Sequence, residues 1–259
     1  MKILQTVISR NGFRNPDKNE QRINLLHKLI DISKFNGAEL IVIPAGFLSA
    51  HNDSDYKEIL SEVEHISKHM ELAIIGGIDV SQSNAKKDPT LNEQISGNNV
   101  PYFAFATYKD NKGNQLTKDW RQSSTTADNA QYVKDQHIPG KARVINIAGT
   151  SCAVLICGEI FSQQARESIS EQKPDVIIDL GHSGMGQGLI PAMRNISNQT
   201  KSPVIHSQHL ADFKKTSIHF VDSTSTPDSK RAIQNPLIKD DEYWAGWQVR
   251  TVQENTFSL

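Results

Sequence analysis

A regular alternation of short apolar runs with longer amphipathic segments is the feature that most constrains how this chain folds. Apolar runs of four to eight residues are typical of buried strands, and apolar residues recurring every three or four positions are typical of helices. The predicted strands are 3–8, 40–43, 72–75, 102–108, 142–147, 152–157, 176–180, 204–207, 218–221 and 244–252. The predicted helices are 17–36, 55–70, 162–172 and 189–200. Repeated alternation of strand and helix requires a sheet with helices on its faces, so the predicted fold class is α/β.

The 259 residues contain no low-complexity linker and are predicted to form one domain, 1–259. A net charge of −1 gives no bulk attraction to nucleic acid or to an anionic membrane, so neither is expected as a partner. The two cysteines supply no disulfide framework. No apolar stretch approaches the roughly 20 residues of a membrane span, and the first run is too short for a secretory signal. A reducing cytoplasm is therefore the predicted location.

Cys157 is the strongest candidate for a reactive side chain. It ends the apolar run 153–156, and Gly158 and Glu159 follow it directly. A thiol between a strand end and a helix start lies near aligned backbone N–H groups, which favour the thiolate and can bind a developing oxyanion. Free cysteines are also among the most buried residues and often only pack, which is our interpretation of Cys152. This segment alone leaves both roles open for Cys157.

Three segments occur in an order and at spacings that match one known family. Residues 37–44 (GAELIVIP) are similar to a family segment that continues with a catalytic glutamate. Residues 113–122 are similar to a second, a glycine turn followed by an aromatic–Arg–Lys triplet. Residues 153–159 are similar to a third, an apolar strand that ends in Cys, one residue and an acid. Over residues 1–222 the chain thus resembles the nitrilase, or carbon–nitrogen hydrolase, superfamily.

The resemblance implies a single-domain, four-layer α-β-β-α sandwich that forms dimers or larger homo-oligomers, with residues 223–259 as an extension that packs on a partner subunit. It also implies thiol chemistry, in which a glutamate is the general base, a lysine stabilises the tetrahedral intermediate and Cys157 attacks an amide or nitrile carbon. Water then hydrolyses the acyl-thioester. No cofactor or metal is expected, because His65 and His69 have metal-ligand spacing but lack the intervening glutamate of a zinc protease.

The chain departs from the family at two of these three catalytic positions. Ala45 stands where the glutamate is expected, and Gln122 stands where the lysine is expected. Losing a general base typically costs about 10²–10⁴-fold in rate. Lys118 is a candidate for a shifted lysine, and Arg121 for a positive charge near an oxyanion, although arginine is a poor proton shuttle. Glu159 is the only acid in the nucleophile segment, but in the family that position is more often structural.

Two histidines offer a different replacement for the missing base. His182 lies just past one predicted strand end and His206 beside the end of the next predicted strand, where α/β proteins commonly build sites. A dyad of Cys157 with either one would restore proton transfer, and simple hydrogen bonding to backbone at the sheet edge is the alternative. The predicted catalytic residues are Cys157, Lys118, Gln122 and Glu159, and the predicted substrate-binding residues are Ala45, Arg121, Gly158, His182 and His206.

Three functions follow from these observations. The first is hydrolysis of a small amide through an acyl-thioester on Cys157. The second is a catalytically degenerate relative that binds a small amide or acyl ligand, or a protein partner, without turnover, which the missing glutamate and lysine favour. The third is an acyltransferase that passes the thioester to an amine. The retained Cys157 with its Gly158 and Glu159 favours the first or third.

Overall fold

Two halves of a curved sheet lie face to face between two pairs of helices in the computed structural model. The structure describes residues 1–80, 102–122, 143–182, 186–211, 218–223, 238–239 and 243–252. The helices are α1 (Asn19–Asn36), α2 (Asp53–Met70), α3 (Gln163–Ser170) and α4 (Leu189–Thr200). The strands are β1 (Lys2–Ser9), β2 (Leu40–Val42), β3 (Leu48–Ala50), β4 (Ala73–Val80), β5 (Tyr102–Lys109), β6 (Gln115–Arg121), β7 (Val144–Ile147), β8 (Thr150–Ile156), β9 (Val176–Leu180), β10 (Val204–Leu210), β11 (His219–Val221), β12 (Ile238–Lys239) and β13 (Trp244–Thr251).

Strand β1 is shared by both halves of the sheet. In the part of the chain described, the strand order runs β6-β5-β4-β2-β1-β10-β9-β8-β7. β1 pairs in parallel with β2 along Ile3–Gln5 and with β10 along Val7–Ser9. Strands β4, β2, β1, β10, β9 and β8 all run in parallel, so their carboxyl ends meet at one edge of the sandwich. This carboxyl edge is where open α/β sheets commonly place ligands.

Apolar residues on both faces of the sheet define the four layers. α1 and α2 bury Leu26, Leu29 and Val63 against the first half, and α3 and α4 bury Ile169 and Met193 against the second. The interior between the halves is an apolar core to which both contribute; its members include Ile3, Val42, Ile75, Val154, Ile178 and Ile205. Strands buried on both faces read as continuous apolar runs, which is the pattern the sequence shows. The predicted single-domain α-β-β-α sandwich is confirmed.

The positions of the predicted elements agree with the structure wherever residues are described. Three of the described strands were not predicted: β3, the two-residue β12, and the polar strand β6, which pairs with β5 at the edge of the sheet. β6 reads QLTKDWR and is mostly exposed, so it lacks the apolar run by which the buried strands are recognised. The hairpin turn predicted at 110–113 joins β5 to β6.

The C-terminal segment is partly built into the chain's own sheet. β13 pairs antiparallel with β1 from Lys2↔Thr251 to Ile8↔Ala245, and β12 pairs with β13. Packing of residues 223–259 on a partner subunit remains a prediction. Within the described ranges, no helix is both long enough and apolar enough to cross a membrane.

Candidate active site

Cys157 directly follows β8 and opens a short 3₁₀ turn, Cys157–Phe161. Its φ of 49° lies in the left-handed region, which costs a residue with a Cβ about 1–2 kcal/mol and persists only where the surroundings impose it. The side chain is half-buried against the core between the two halves of the sheet. The sharp turn therefore presents the thiol at the carboxyl edge of the sandwich.

A buried ion pair holds this turn in place. Arg143 Nη2 donates to Glu159 Oε1 at 2.7 Å, and the other oxygen, Oε2, accepts the backbone N–H of Ile156 at 2.9 Å. The same Nη2 donates to the carbonyl of Arg121 at 2.7 Å. Burial lowers the pKa of Arg143, and the adjacent carboxylate of Glu159 opposes that effect. Both oxygens of Glu159 are thus engaged, one with Arg143 and the other with the backbone N–H that precedes Cys157, so the carboxylate ties this turn to Arg143.

His182 follows β9 and is the imidazole beside the thiol. Its Nε2 donates to Asp79 Oδ1 at 3.0 Å, and the imidazole also hydrogen-bonds Cys157. Burial alone would lower the pKa of His182, but the charge and hydrogen bond of Asp79, with a contribution from Cys157, raise it to about 9. At neutral pH the side chain is an imidazolium, and an adjacent imidazolium favours the thiolate of a cysteine.

Asp79 reaches the site from the opposite half of the sheet. It lies near the carboxyl end of β4, is 1% exposed, and binds His182 through one oxygen and Arg14 Nε through the other, at 3.1 Å. A Cβ on Gly46 would stand 2.7 Å from Asp79 Oδ2, so only glycine permits this approach. Since Gly46 directly follows Ala45, the acid sits beside the position where the family's glutamate is expected but comes from a different strand.

Two aromatic side chains enclose the other side of this cluster. The ring of Tyr102 packs on His182 with centroids 4.1 Å apart, and its hydroxyl accepts from Arg14 Nη2 at 2.5 Å. The ring of Phe13 approaches His182 at 6.1 Å. Burial is the main cause that raises the pKa of Tyr102, and the charge of Cys157 adds to it. The phenol is therefore neutral at physiological pH and contributes shape and one hydrogen-bonding oxygen.

Three predicted site residues, Lys118, Arg121 and Gln122, belong to the second family segment and lie in or next to the edge strand β6. Gln122 is 9% exposed, and its backbone N–H donates to the carbonyl of Tyr102 at 2.8 Å. Lys118 lies on β6 opposite Ala106, and its side chain is exposed. Arg121 is the last residue of β6, and its guanidinium lies 5.3 Å from the ring of Phe103, which packs on the helix side of the sheet. The roles suggested for Gln122, Lys118 and Arg121 remain predictions.

Ala45 and His206 are buried in the core, and the substrate-binding role suggested for each remains a prediction. Ala45 is 1% exposed between the two halves of the sheet. His206 Nδ1 lies 2.6 Å from Asp179 Oδ2 and its Nε2 lies 3.3 Å from Gln208 Oε1, so both ring nitrogens are engaged. A Cβ on Gly181 would come within 2.5 Å of His206, so this imidazole packs directly beneath the backbone that leads to His182. Of the two predicted histidines, His182 is the one whose contacts include Cys157.

Sequence reasoning missed Asp79, Arg14, Tyr102 and Arg143. A signal for Asp79 was present, because a carboxylate interrupts the otherwise apolar stretch 72–80 two residues after a pair of glycines. Within the described ranges no group of three or more His, Cys, Asp or Glu side chains could hold a metal ion.

Comparison with known proteins finds similarity in structure but not in sequence. No protein-family model matches the chain, and no curated protein sequence matches it significantly. An amidase variant from Nesterenkonia sp. AN1, with the acetamide moiety of fluoroacetamide added covalently at its active-site cysteine, matches with a TM-score of 0.64 and 11% identity over 96% of this chain and 90% of that one. A double mutant of that amidase in complex with acrylamide matches with a TM-score of 0.65 and 10% identity over 96% and 90%.

A cysteine-to-serine mutant of the same protein, described as an amidase from the nitrilase superfamily, gives 0.64 and 10% over 95% and 90%. The chain therefore has the fold of nitrilase-superfamily amidases, as the sequence resemblance predicted.

Proposed function

We propose that the protein hydrolyses a small amide, with Cys157 as nucleophile and the His182–Asp79 pair in place of the family's glutamate and lysine. The observation that carries this proposal is the convergence of three side chains from separate strands at the carboxyl edge, with a left-handed turn presenting the thiol. A nucleophile beside a base that a third group orients is the arrangement of covalent catalysis. The covalent chemistry named for the Nesterenkonia amidase at its own cysteine agrees with this assignment.

The reaction balances with the residues present. The thiolate of Cys157 attacks the amide carbon, and the C=O electron pair moves onto the oxygen. The backbone N–H of Gly158, at the start of the 3₁₀ turn, is suited to bind that oxyanion, because the first N–H groups of a helical turn lack partners within it. The imidazolium of His182 protonates the departing nitrogen as the C–N bond breaks, which leaves a thioester and a neutral imidazole. That imidazole takes a proton from water, and the resulting attack releases the acid and restores the thiolate.

Asp79 holds His182 in the tautomer that this cycle needs. Because Asp79 accepts the Nε2 hydrogen at 3.0 Å, the lone pair of the neutral ring lies on Nδ1. The carboxylate also stabilises the imidazolium formed when the base takes up a proton.

Two alternative functions are transfer of the acyl group to an amine and binding of an amide without turnover, and the experiment described next distinguishes them. The absence of the family's glutamate and lysine favours binding without turnover, whereas the imidazole beside the thiol favours catalysis. We also expect a homo-oligomer in a reducing cytoplasm, where Cys157 stays a free thiol.

The experiment measures ammonia release from acetamide, propionamide and butyramide, with covalent labelling by iodoacetamide followed by intact mass. Cys157→Ala should abolish both. His182→Asn should lower kcat/KM by about 10²–10⁴-fold and slow labelling at pH 7, because the base and the charge beside the thiol are lost together. The matched control His51→Asn, at an exposed histidine that pairs with Asp17, should change neither. Equal turnover in wild type and His182→Asn would refute the assignment of the base.

Turnover that appears only when hydroxylamine or an amine is added would identify a transferase. Tight amide binding by calorimetry without ammonia release would identify a binding protein.

A further inference from the structure

We propose that Arg14 is a positioning residue for His182, which it orients through Asp79 and Tyr102 without touching the imidazole itself. The effect on amide turnover rests on the proposed function, whereas the placement of His182 does not.

The side chains that surround His182 also contact Arg14. The imidazole donates to Asp79 Oδ1 at 3.0 Å, and its centroid lies 4.1 Å from that of the Tyr102 ring and 6.1 Å from that of Phe13. Arg14 Nε donates to Asp79 Oδ2 at 3.1 Å, and Nη2 donates to the hydroxyl of Tyr102 at 2.5 Å. The guanidinium carbon lies 4.9 Å from the ring of Phe13. One guanidinium therefore contacts three neighbours of the imidazole at once.

The carboxylate of Asp79 needs a second contact to hold a fixed orientation. The terminal torsion of an aspartate is broad, so a single hydrogen bond to His182 leaves the carboxylate free to turn about its Cβ–Cγ bond. Arg14 Nε on the other oxygen fixes the plane of the carboxylate. Asp79 is 1% exposed, so solvent has little access to that oxygen if Arg14 is removed. The direction in which Oδ1 accepts from His182 therefore depends on Arg14.

Tyr102 is the second group through which Arg14 acts. It lies directly opposite Asp79 in the pairing of β4 with β5, so the two side chains are neighbours on one face of the sheet. The hydrogen bond from Arg14 to the hydroxyl fixes the end of the ring that packs on His182. The guanidinium thus ties the acid and the ring that flank the imidazole to the segment between β1 and α1.

Arginine suits this role because its donors form a rigid planar fork. Nε and Nη2 can therefore bind two acceptors at a fixed distance from one another. Groups that orient a functional histidine from outside typically contribute about 10- to 100-fold to its function, and a displacement of about 1 Å in a catalytic group can cost about 100-fold in rate. We expect an effect of this size from Arg14.

The test separates the hydrogen bond of Arg14 from its charge. In Arg14→Gln the amide nitrogen takes the place of Nε, because both are bonded to Cδ, so the hydrogen bond to Asp79 is kept and the charge is lost. Arg14→Lys keeps the charge but has a carbon at that position, and Arg14→Met keeps neither. Arg10→Met is the matched control, since Arg10 lies in the same segment with its guanidinium carbon 5.6 Å from the ring of Phe13.

We would measure kcat and KM separately for butyramide, a neutral amide, and express kcat per folded molecule. Arg14→Met should lower kcat by about 10- to 100-fold with little change in KM, because the orientation of the imidazole is lost while contacts with the substrate remain. Arg14→Gln should recover most of the lost kcat, Arg14→Lys should not, and Arg10→Met should match wild type. A merely structural role would lower the folded fraction but leave the kcat of the folded protein unchanged.

A second readout requires no turnover. An imidazole N–H that donates to a buried carboxylate gives a downfield, slowly exchanging proton signal in NMR, and His182→Asn assigns the signal of His182 by its loss. This signal should shift upfield or exchange away in Arg14→Met and persist in Arg14→Gln and Arg10→Met.

The outcomes separate this inference from the proposed function. If no amide is hydrolysed but the signal of His182 follows the expected pattern, the positioning role stands and the proposed function fails. If amides are hydrolysed and Arg14→Met has the kcat of Arg10→Met, the inference is overturned and the hydrolase stands. Rescue by Arg14→Lys in place of Arg14→Gln also overturns it, because charge and not the hydrogen bond would then be responsible. Without turnover, a signal that Arg14→Met leaves unchanged overturns it as well.

Discussion

Replacing Asp79 with asparagine should change how the stability of the protein depends on pH. Asp79 is 1% exposed and is the group that keeps the buried His182 charged, with its oxygen 3.0 Å from Nε2. Asparagine has the same shape without the charge, so the substitution removes the electrostatic support and leaves the burial. Burial by itself lowers the pKa of a histidine. His182 in the variant should therefore lose its proton at a lower pH than in wild type.

The magnitude follows from the shift in pKa. The pKa of His182 rises from 6.5 to about 9, and each unit corresponds to about 1.4 kcal/mol. Net of burial, the interactions of the charged ring, of which those with Asp79 are the largest, therefore contribute about 3 kcal/mol to the free energy of unfolding. Because the pKa is raised in the folded state, this contribution is complete below pH 6.5 and is lost as the pH rises through 9. The stability difference between wild type and Asp79→Asn should therefore shrink by about 3 kcal/mol between pH 6.5 and 10. The lost contact with Arg14 adds a constant part, since arginine keeps its charge over this range.

Urea denaturation between pH 6 and 10 at constant ionic strength measures this difference, and the NMR titration of the His182 ring protons locates the pKa itself. Asp17→Asn is the matched control, because Asp17 also pairs with a histidine, His51, at 3.7 Å, but on the exposed surface. The control should show no pH-dependent difference from wild type. A stability difference between wild type and Asp79→Asn that stays constant from pH 6 to 10 would show that Asp79 does not hold His182 charged.

Two further substitutions test the surroundings of the site. Glu159→Gln should lower the free energy of unfolding by about 3–5 kcal/mol, because it leaves Arg143 buried without its carboxylate, whereas Glu71→Gln at an exposed ion pair should have little effect in the same urea titration. Gly181→Ala should destabilise the protein by about 1–3 kcal/mol, since its Cβ would stand 2.5 Å from the buried ring of His206; a thermal midpoint equal to that of wild type would contradict this packing.

Local patterns in the sequence were enough to predict most of the fold and about half of the candidate site. Apolar runs and amphipathic segments predicted the longer buried strands and helices α1 to α4, because burial on both faces leaves a continuous signal, whereas the three-residue β3 is too short to show one. The place of Cys157 at a strand end, and of His182 just after another, followed from the same patterns. The polar edge strand β6 was not predicted, because its mostly exposed residues form no apolar run. Had it been recognised, its alternation would have separated Arg121 from Gln122, since neighbouring residues in a strand face opposite sides.

The partner of His182 could not be predicted because the contact depends on how the two halves of the sheet meet. Asp79 lies 103 positions before His182, and Arg14 lies 65 positions before Asp79. No local pattern states which strand ends face one another across the sandwich. The pairing of β1 with both β2 and β10 decides it, and this register is a property of the folded chain. The alanine at position 45 gave no indication that a carboxylate of β4, Asp79, lies beside the next residue, Gly46.

The pairing of β13 with β1 has a consequence for how the protein is made. The main chain of Met1 exchanges hydrogen bonds with that of Val252 at 3.0 and 2.9 Å, so the first strand is completed by the last described one. During synthesis on the ribosome, β1 emerges long before β13. Until β13 is made, the edge of this apolar strand stays unpaired. Such edges are prone to pair with other chains. A nascent chain of this protein is therefore expected to need protection by chaperones until β13 is released, and a stop codon before Trp244 would leave that edge permanently open.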